Sequence, residues 1–296
     1  MKALAMNNPV VALCLALSLL APLVAGPVRA EAVAPTLPAA PLAEEQAFAA
    51  LVEALDLDGV IAVMRDEGIK YGAELETDLF AQPIGAKWAE RVSAIYDPAR
   101  MRAVFVEKLQ RELPAEAVAS MLEFFASDLG SRIIGLELSA RRALLDPAVK
   151  EAADVLRDEM IAAKAPRLTL LREFAEIGDL IESNVAGAMN ANYAFVNGLA
   201  EGGGFPYEMT QEQIVTDVWS QEQEIRTETE DWLYAYLGMA YQPLSDADLA
   251  AYMAVSATAE GKALNRALFV AFDVMFTGIS RDLGLAAANY IAGQEI

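Results

Sequence analysis

Apolar residues recur at the spacing of one helical turn along almost the whole chain, and this pattern limits the possible fold more than any other feature. Strand-like alternation of apolar and polar residues is nearly absent. Amphipathic helices of short to medium length must pack on one another to be stable. The sequence therefore predicts an all-α fold, an antiparallel bundle or array of helices. Typical stripes consist of Phe48, Leu51, Val52 and Leu55, and of Trp88, Val92 and Ile95.

Residues that favour helix starts separate many of these stripes. Asp97-Pro98 and Asp146-Pro147 each combine an N-cap residue with proline at the first helical position. Pro166 marks another start. These signals predict helices that begin at Pro98, Pro147 and Pro166.

A capping box predicts one long helix in the second half. Thr210 and Gln213 have the spacing of a capping-box pair. The apolar residues that follow them at helical spacing are Ile214, Val218, Ile225, Trp232 and Tyr236.

The first 30 residues have the pattern of a secretory signal peptide. Lys2 supplies a positive charge, residues 10–26 are apolar, and Val28-Arg29-Ala30 resembles a cleavage site. We expect cleavage after Ala30 and a periplasmic location. The alternative is an uncleaved anchor, which the short apolar run, broken by Pro22, disfavours.

Composition divides the rest of the chain. Residues 31–46 are rich in Ala and Pro and predict an extended linker. We expect one helical unit at 47–165 and a second at 166–296, with a glycine-rich connector at 202–204. The apolar tail from Ala259 to Ala292 contains charged residues and predicts a buried helix. We therefore expect no stable membrane span after signal cleavage.

The chain contains no histidine, and its one cysteine, Cys14, lies in the predicted signal peptide. Ser-His-Asp hydrolysis, Cys-His proteolysis and His or Cys zinc sites need those side chains. We expect no cofactor, and any catalysis would rest on residues such as carboxylates.

The formal net charge is −21 at pH 7. Such a charge repels nucleic acid and anionic lipid, so we expect neither as a direct partner. Cationic peptides or proteins and divalent ions stay open as partners, as does the interpretation that the charge only keeps the protein soluble.

An internal repeat relates the two halves. Residues 113–133 align without gaps on residues 244–264, which pairs Ser127 with Thr258 and Gly130 with Gly261. The shared unit is a helix, a corner and a second helix. Either hydroxyl is expected to cap the second helix, and either glycine to let the two helices approach closely.

The repeated residues resemble a bacterial family, the domain of unknown function 2059. Its pattern of an aromatic pair, a serine, a glycine and a basic residue is found here in Phe124, Phe125, Ser127, Gly130 and Arg132. A weaker copy, which lacks both aromatics, contains Thr258, Gly261 and Lys262. The resemblance implies a small helical domain of the cell envelope without an established reaction, and a structural role for these residues.

Glu182 is the one candidate catalytic residue. Ile181-Glu182-Ser183, followed by Gly187, resembles the start of the catalytic motif of lytic transglycosylases, which use one glutamate as acid and base. The segment that should follow the glutamate is missing here. The alternative is an ordinary exposed glutamate on a helix.

Two further groups of residues have competing interpretations. Asp56-Leu57-Asp58-Gly59 resembles part of a calcium loop, but its apolar residues continue a helical stripe. Aromatic residues could line a groove for a lipid or a partner helix, although aromatics at helical spacing are usually core. They are Trp219, Trp232, Tyr234 and Tyr236.

Together these features predict an exported, non-enzymatic helical protein that acts by binding or by structure. The expected partner is an envelope protein or a small ligand. The alternative is a carboxylate-dependent enzyme that cleaves peptidoglycan and resembles lytic transglycosylases.

The predicted signal peptide can be tested by amino-terminal sequencing. When the full chain is expressed in a Gram-negative bacterium and the periplasmic fraction is isolated, amino-terminal sequencing should start at Glu31, because cleavage is expected after Ala30. Protein that keeps residues 1–30 and sediments with the membranes would instead indicate an uncleaved anchor.

Overall fold

The computed structural model describes residues 40–293, and they form helices joined by short connections. No strand occurs in this part of the chain, so the predicted all-α fold is confirmed. The predicted signal peptide and most of the predicted linker lie outside the described residues. The helices are α1 (Ala40–Ala54), α2 (Leu57–Leu79), α3 (Ala86–Ile95), α4 (Pro98–Glu112), α5 (Ala115–Phe125), α6 (Asp128–Ala143), α7 (Pro147–Ala162), α8 (Pro166–Ile177), α9 (Leu180–Glu201), α10 (Gln211–Trp219), α11 (Glu222–Ala240), α12 (Asp246–Ser256) and α13 (Ala259–Ile291).

The predicted helix starts are confirmed, and three of them, at Asp97, Asp146 and Thr210, have side-chain cap hydrogen bonds. Asp97 accepts a hydrogen bond from the backbone N–H of Arg100, and Asp146 accepts one from Ala148, both at 2.8 Å. The side chains of Thr210 and Gln213 satisfy each other's backbone N–H groups in the predicted capping box. These bonds use N–H groups that have no partner within the helix.

The predicted stripes face a common core. All residues of the two stripes named above are buried. One hydrophobic core contains buried side chains from Phe48 in α1 to Ala288 in α13, so the two predicted units share it. Helix α13 contributes most to this core and contacts α3, α4, α5, α9 and α12.

Two element boundaries differ from the sequence prediction. Helix α1 begins at Ala40, inside the predicted linker, because Pro41 occupies the first turn, where its missing N–H costs no hydrogen bond. The single long helix predicted after Thr210 is two helices, α10 and α11. At the break, the Ser220 hydroxyl donates to the carbonyl of Asp217 at 2.7 Å, so a side chain competes with the backbone ladder.

Helices α9 and α13 run parallel and touch along their length, which departs from the predicted antiparallel order. Asn190 contacts Asp273, and further along both helices Gly198 lies against Arg281. A methyl group on Gly198 would lie 2.2 Å from the carbonyl oxygen of Arg281. A methyl group on Gly284 would lie 2.1 Å from the carbonyl oxygen of Phe195. The two backbones are therefore in direct contact, which only glycine permits at these positions.

Helix α13 is also the one helix in the described part that is long and apolar enough to cross a membrane. Its most apolar stretch has a mean hydropathy of 1.3, and 67% of that stretch is buried inside the protein. The core therefore accounts for most of its apolar surface.

The glycine contact makes a stability prediction. Gly284→Ala should lower the free energy of unfolding by roughly 1–3 kcal/mol, because the methyl group has to push two helix backbones apart. Gly278→Ala on the same helix is the matched control, since a methyl group there meets no atom within 4 Å. It should instead stabilise by up to about 1 kcal/mol through helix propensity. Urea unfolding followed by circular dichroism measures both; equal effects would contradict the backbone contact.

Candidate functional site

The first candidate is a buried carboxyl group with tyrosine neighbours. Glu137 in α6 is 7% exposed and accepts hydrogen bonds from the hydroxyls of Tyr241, at 2.6 Å, and Tyr252, at 3.2 Å. The hydroxyl of Tyr236 donates to the backbone carbonyl of Glu137 at 3.2 Å. The tyrosines belong to α11, the corner after it and α12, so this cluster joins the two halves of the chain.

Burial dominates the protonation of this cluster. It raises the pKa of Glu137 from 4.5 to about 7, against the opposing effect of the two tyrosine hydrogen bonds. Burial also raises the pKa of each of the three tyrosines well above 10. All three tyrosines are at most 7% exposed, so a substrate cannot reach the carboxyl group. The cluster is therefore suited to holding helices together.

A buried ion pair lies on the same helix. Arg141 is 4% exposed and donates from Nε and Nη2 to the two carboxylate oxygens of Glu67 in α2, both at 2.9 Å. Such a two-point contact fixes the orientation of α6 against α2.

Glu182 does not have the surroundings of a general acid. It lies in the first turn of α9, its side chain is 60% exposed, and Arg226 donates to both of its carboxylate oxygens. These hydrogen bonds lower the pKa of Glu182, whereas an acid catalyst needs a raised pKa. Glu182 is therefore held in its ionised form.

The motif residues of the first half build a corner between α5 and α6. Ser127 donates to the carbonyl of Phe124 at 2.6 Å and accepts from the N–H of Gly130 at 3.2 Å. Phe124 packs edge-on against Phe125 and stacks on Tyr252, with ring centroids 5.8 Å apart in the stacked pair.

Arg132 extends the contact from this corner to the second half of the chain. Its guanidinium donates to the carbonyl of Pro243 at 2.6 Å and lies 3.6 Å from the carboxylate of Asp248. The first motif therefore contacts the second half of the chain directly.

The second motif forms a corner with the same bonds. Thr258 donates to the carbonyl of Val255 at 2.8 Å and accepts from the N–H of Gly261 at 3.0 Å. Lys262 follows in the first turn of α13, but it aligns with Ser131 and not with Arg132. The two basic residues of the motifs therefore face different directions on their helices.

A groove between α9 and α13 is a further candidate site. Its empty volume is about 540 Å³, which includes the part open to solvent. Ligand pockets are usually apolar with a few polar groups. The groove is lined by Ser183, Ala186, Gly187 and Asn190 of α9, and by Phe269, Val270, Phe272 and Asp273 of α13.

Of the described residues that line the groove, Asp273 is the only charged one. Asn190 donates to its carboxylate at 2.9 Å, and within residues 40–293 the Asp273 side chain makes no other hydrogen bond or ion pair. Partial burial raises the pKa of Asp273, and the Asn190 hydrogen bond opposes that rise. This is a partly desolvated carboxylate without a counter-ion.

The remaining candidates from the sequence are the calcium-like segment and the aromatic residues. Asp58, from the calcium-like segment, pairs with Arg102 at 2.8 Å. No group of acidic residues suited to a metal ion occurs in the described part of the chain. Of the aromatic residues, Tyr236 is buried and stacks on Trp232 at 4.9 Å. Trp219 is 65% exposed, so the core interpretation is wrong for it.

Comparison with known proteins adds no relative. The chain matches no family model, and no curated protein or solved structure matches it.

The sequence predictions did not include Glu137 or Asp273 as site residues, although the position of each in its helix indicates one. Glu137 lies four residues after Ile133 and four before Arg141, on the buried face of α6. Asp273 interrupts an apolar run of α13 and follows Phe269 by one turn. A carboxylate at a core-facing helical position is the pattern that would have found them.

The buried carboxyl group predicts how stability depends on pH. Because the folded state raises the pKa of Glu137 above 4.5, its contribution to stability is complete at low pH and is lost as the pH rises through about 7. Glu137→Gln keeps an acceptor but cannot ionise. Between pH 5 and pH 8, wild type should therefore lose up to about 3 kcal/mol relative to the variant, at 1.36 kcal/mol per pKa unit.

Urea unfolding at several pH values measures this difference. Glu182→Gln is the control, because its lowered pKa places any loss of stability at acidic pH, which is the opposite direction. The same pH dependence in wild type and in Glu137→Gln would contradict a protonated carboxyl group in the core.

Proposed function

We propose that this chain is an exported helical binding protein and that its ligand site is the groove between α9 and α13. The proposed ligand is a small organic amine with an apolar body. The observation that carries this proposal is the partly buried carboxylate of Asp273, which has a carboxamide partner but no cation.

The chemistry of the groove supports this ligand class. Partial burial removes some of the water that would hydrate the Asp273 carboxylate. An ammonium group would replace that water with a charge-assisted hydrogen bond. Phe269 and Val270 supply apolar surface one turn away, and a ring face attracts a cation. The acidic chain as a whole raises the local concentration of cations.

The periplasmic location and the resemblance to the domain of unknown function 2059 are parts of the same proposal. The matching bonds of Ser127 and Thr258 support two related units, each with one capped corner. The capping serine or threonine and the glycine are needed to build that corner, which supports a structural role for the motif.

The alternative function is cleavage of peptidoglycan by Glu182. No feature of its surroundings favours this alternative, because Arg226 keeps the carboxylate ionised and most of the side chain faces solvent. This alternative is tested by measuring the release of soluble fragments from purified peptidoglycan.

The binding proposal is tested with 2-phenylethylamine as the probe. Calorimetric titration of the full chain should show binding, and Asp273→Asn should weaken it by about tenfold or more, the size expected for a lost hydrogen bond to a charged group. Asp282→Asn on the same helix is the matched control, because Asp282 pairs with Arg100 and does not line the groove.

Two outcomes would contradict the proposal. Equal binding of the uncharged analogue 2-phenylethanol would show that the charge of Asp273 does not contribute to binding. Release of peptidoglycan fragments by wild type, abolished by Glu182→Gln, would favour the enzyme.

A further inference from the structure

Helix α10 has apolar residues on two of its sides, and only one of them is covered. Ile214 and Val218 are at most 3% exposed and pack against α9. Val215 and Trp219 follow each other by one turn and point outward, 39% and 65% exposed. Trp219 is the most exposed large apolar residue in the described part of the chain. A tryptophan in this position exposes an apolar surface that burial in a complex would stabilise.

The sequence on both sides of α10 is acidic. Arg226 is the only Lys or Arg between Arg172 and Lys262, and that interval contains sixteen Asp and Glu residues. Arg226 itself is occupied by Glu182 and Glu222. Other carboxylates of the interval pair with Arg from elsewhere in the chain, as Glu201 does with Arg281, but Glu212 and Asp217 on α10 form no ion pair within residues 40–293.

Three residues combine the apolar and the acidic character on one face. Glu212, Val215 and Trp219 have the spacing i, i+3 and i+7, which places them in a row along α10. All three are exposed, and Glu212 forms no ion pair in the described part of the chain. The row has the two elements that bind a side chain with a long apolar stem and a positive end.

We propose that this row, the α10 face, docks a basic amphipathic segment of another polypeptide. Arginine from such a segment stacks on the indole of Trp219, and its neighbouring apolar side chains cover Val215. Lysine or arginine one or two turns away pairs with Glu212. The negative field of the interval steers the segment to this face and repels anionic lipid and nucleic acid.

The α10 face is separate from the groove at Asp273. Within residues 40–293 the groove is lined by residues of α9 and α13, and α10 contributes none of them. The two proposals therefore fail or succeed independently. Asp273→Asn should leave docking unchanged, and Trp219→Ala should leave the binding of 2-phenylethylamine unchanged.

The test uses the full chain and two labelled synthetic peptides. One is an amphipathic helix of Leu, Lys and Arg, and its partner has every Lys and Arg replaced by Glu. Fluorescence anisotropy should show binding of the basic peptide alone, with an affinity that falls as salt is added. Trp219→Ala should weaken binding by roughly tenfold or more, as expected for a central aromatic anchor. Glu212→Gln should weaken it by a smaller factor, because a rim charge contributes less.

Helix α7 supplies the matched controls. Val155 is 51% exposed, yet its helix also contains Lys150 and Arg157. Val155→Ala and Glu159→Gln remove an exposed apolar residue and an exposed carboxylate far from α10 in sequence, and both should bind the basic peptide like wild type. Trp219 faces solvent, so its removal should leave the circular dichroism spectrum and the unfolding midpoint unchanged.

Three results would overturn the proposal. The first is equal binding of both peptides, or binding of the basic peptide that Trp219→Ala does not weaken. The second is Trp219-dependent binding to phosphatidylglycerol vesicles without binding of the peptide. The third is a dimer in sedimentation that Trp219→Ala abolishes while the peptide does not bind, which would assign the α10 face to a second copy of this chain.

Discussion

The backbone contact between α9 and α13 determines the arrangement of the other helices. Gly198 and Gly284 each lie against a carbonyl oxygen of the other helix, so the two axes come closer than side chains would allow. α13 is thereby placed in the middle of the molecule, where α3, α4, α5 and α12 pack on its remaining surface. Further towards the amino-terminal ends of both helices, the groove at Asp273 opens between them. The same parallel pair therefore provides both a direct backbone contact and the groove at Asp273.

A second constraint fastens the two halves of the chain to each other. Glu137 reaches from α6 to Tyr241 and Tyr252, and Arg132 reaches from the same helix to Pro243 and Asp248. A buried carboxyl group lowers stability unless its hydrogen bonds are satisfied. Substitution of these partners is therefore expected to destabilise the protein. The first corner is consequently part of the interface between the halves, and its aromatic pair serves the same contact through Phe124. The second corner makes the same cap bonds without an aromatic pair of its own.

Charge and exposure divide the surface into regions of different character. The acidic interval around α10 contains Trp219, and the groove contains one carboxylate without a counter-ion. Elsewhere, exposed acidic residues often pair with Arg or Lys, as in the pairs of Asp58 with Arg102 and Glu112 with Lys108. Both proposals therefore rest on carboxylates that the described protein leaves without a basic neighbour.

The sequence by itself determined the helical fold, the positions of most helix starts and the two capped corners. These features depend on neighbours within about one turn, such as Asp97 with Arg100 or Thr210 with Gln213, and local chemistry is visible in a sequence. Only the tertiary structure decided that α9 and α13 run parallel, that Trp219 faces solvent and that Arg226 neutralises Glu182. It also decided that Glu137 is buried under three tyrosines, about 100 or more residues further along the chain. Contacts over such distances depend on how helices pack, and helical periodicity gives the face that a residue occupies but not the helix that it meets.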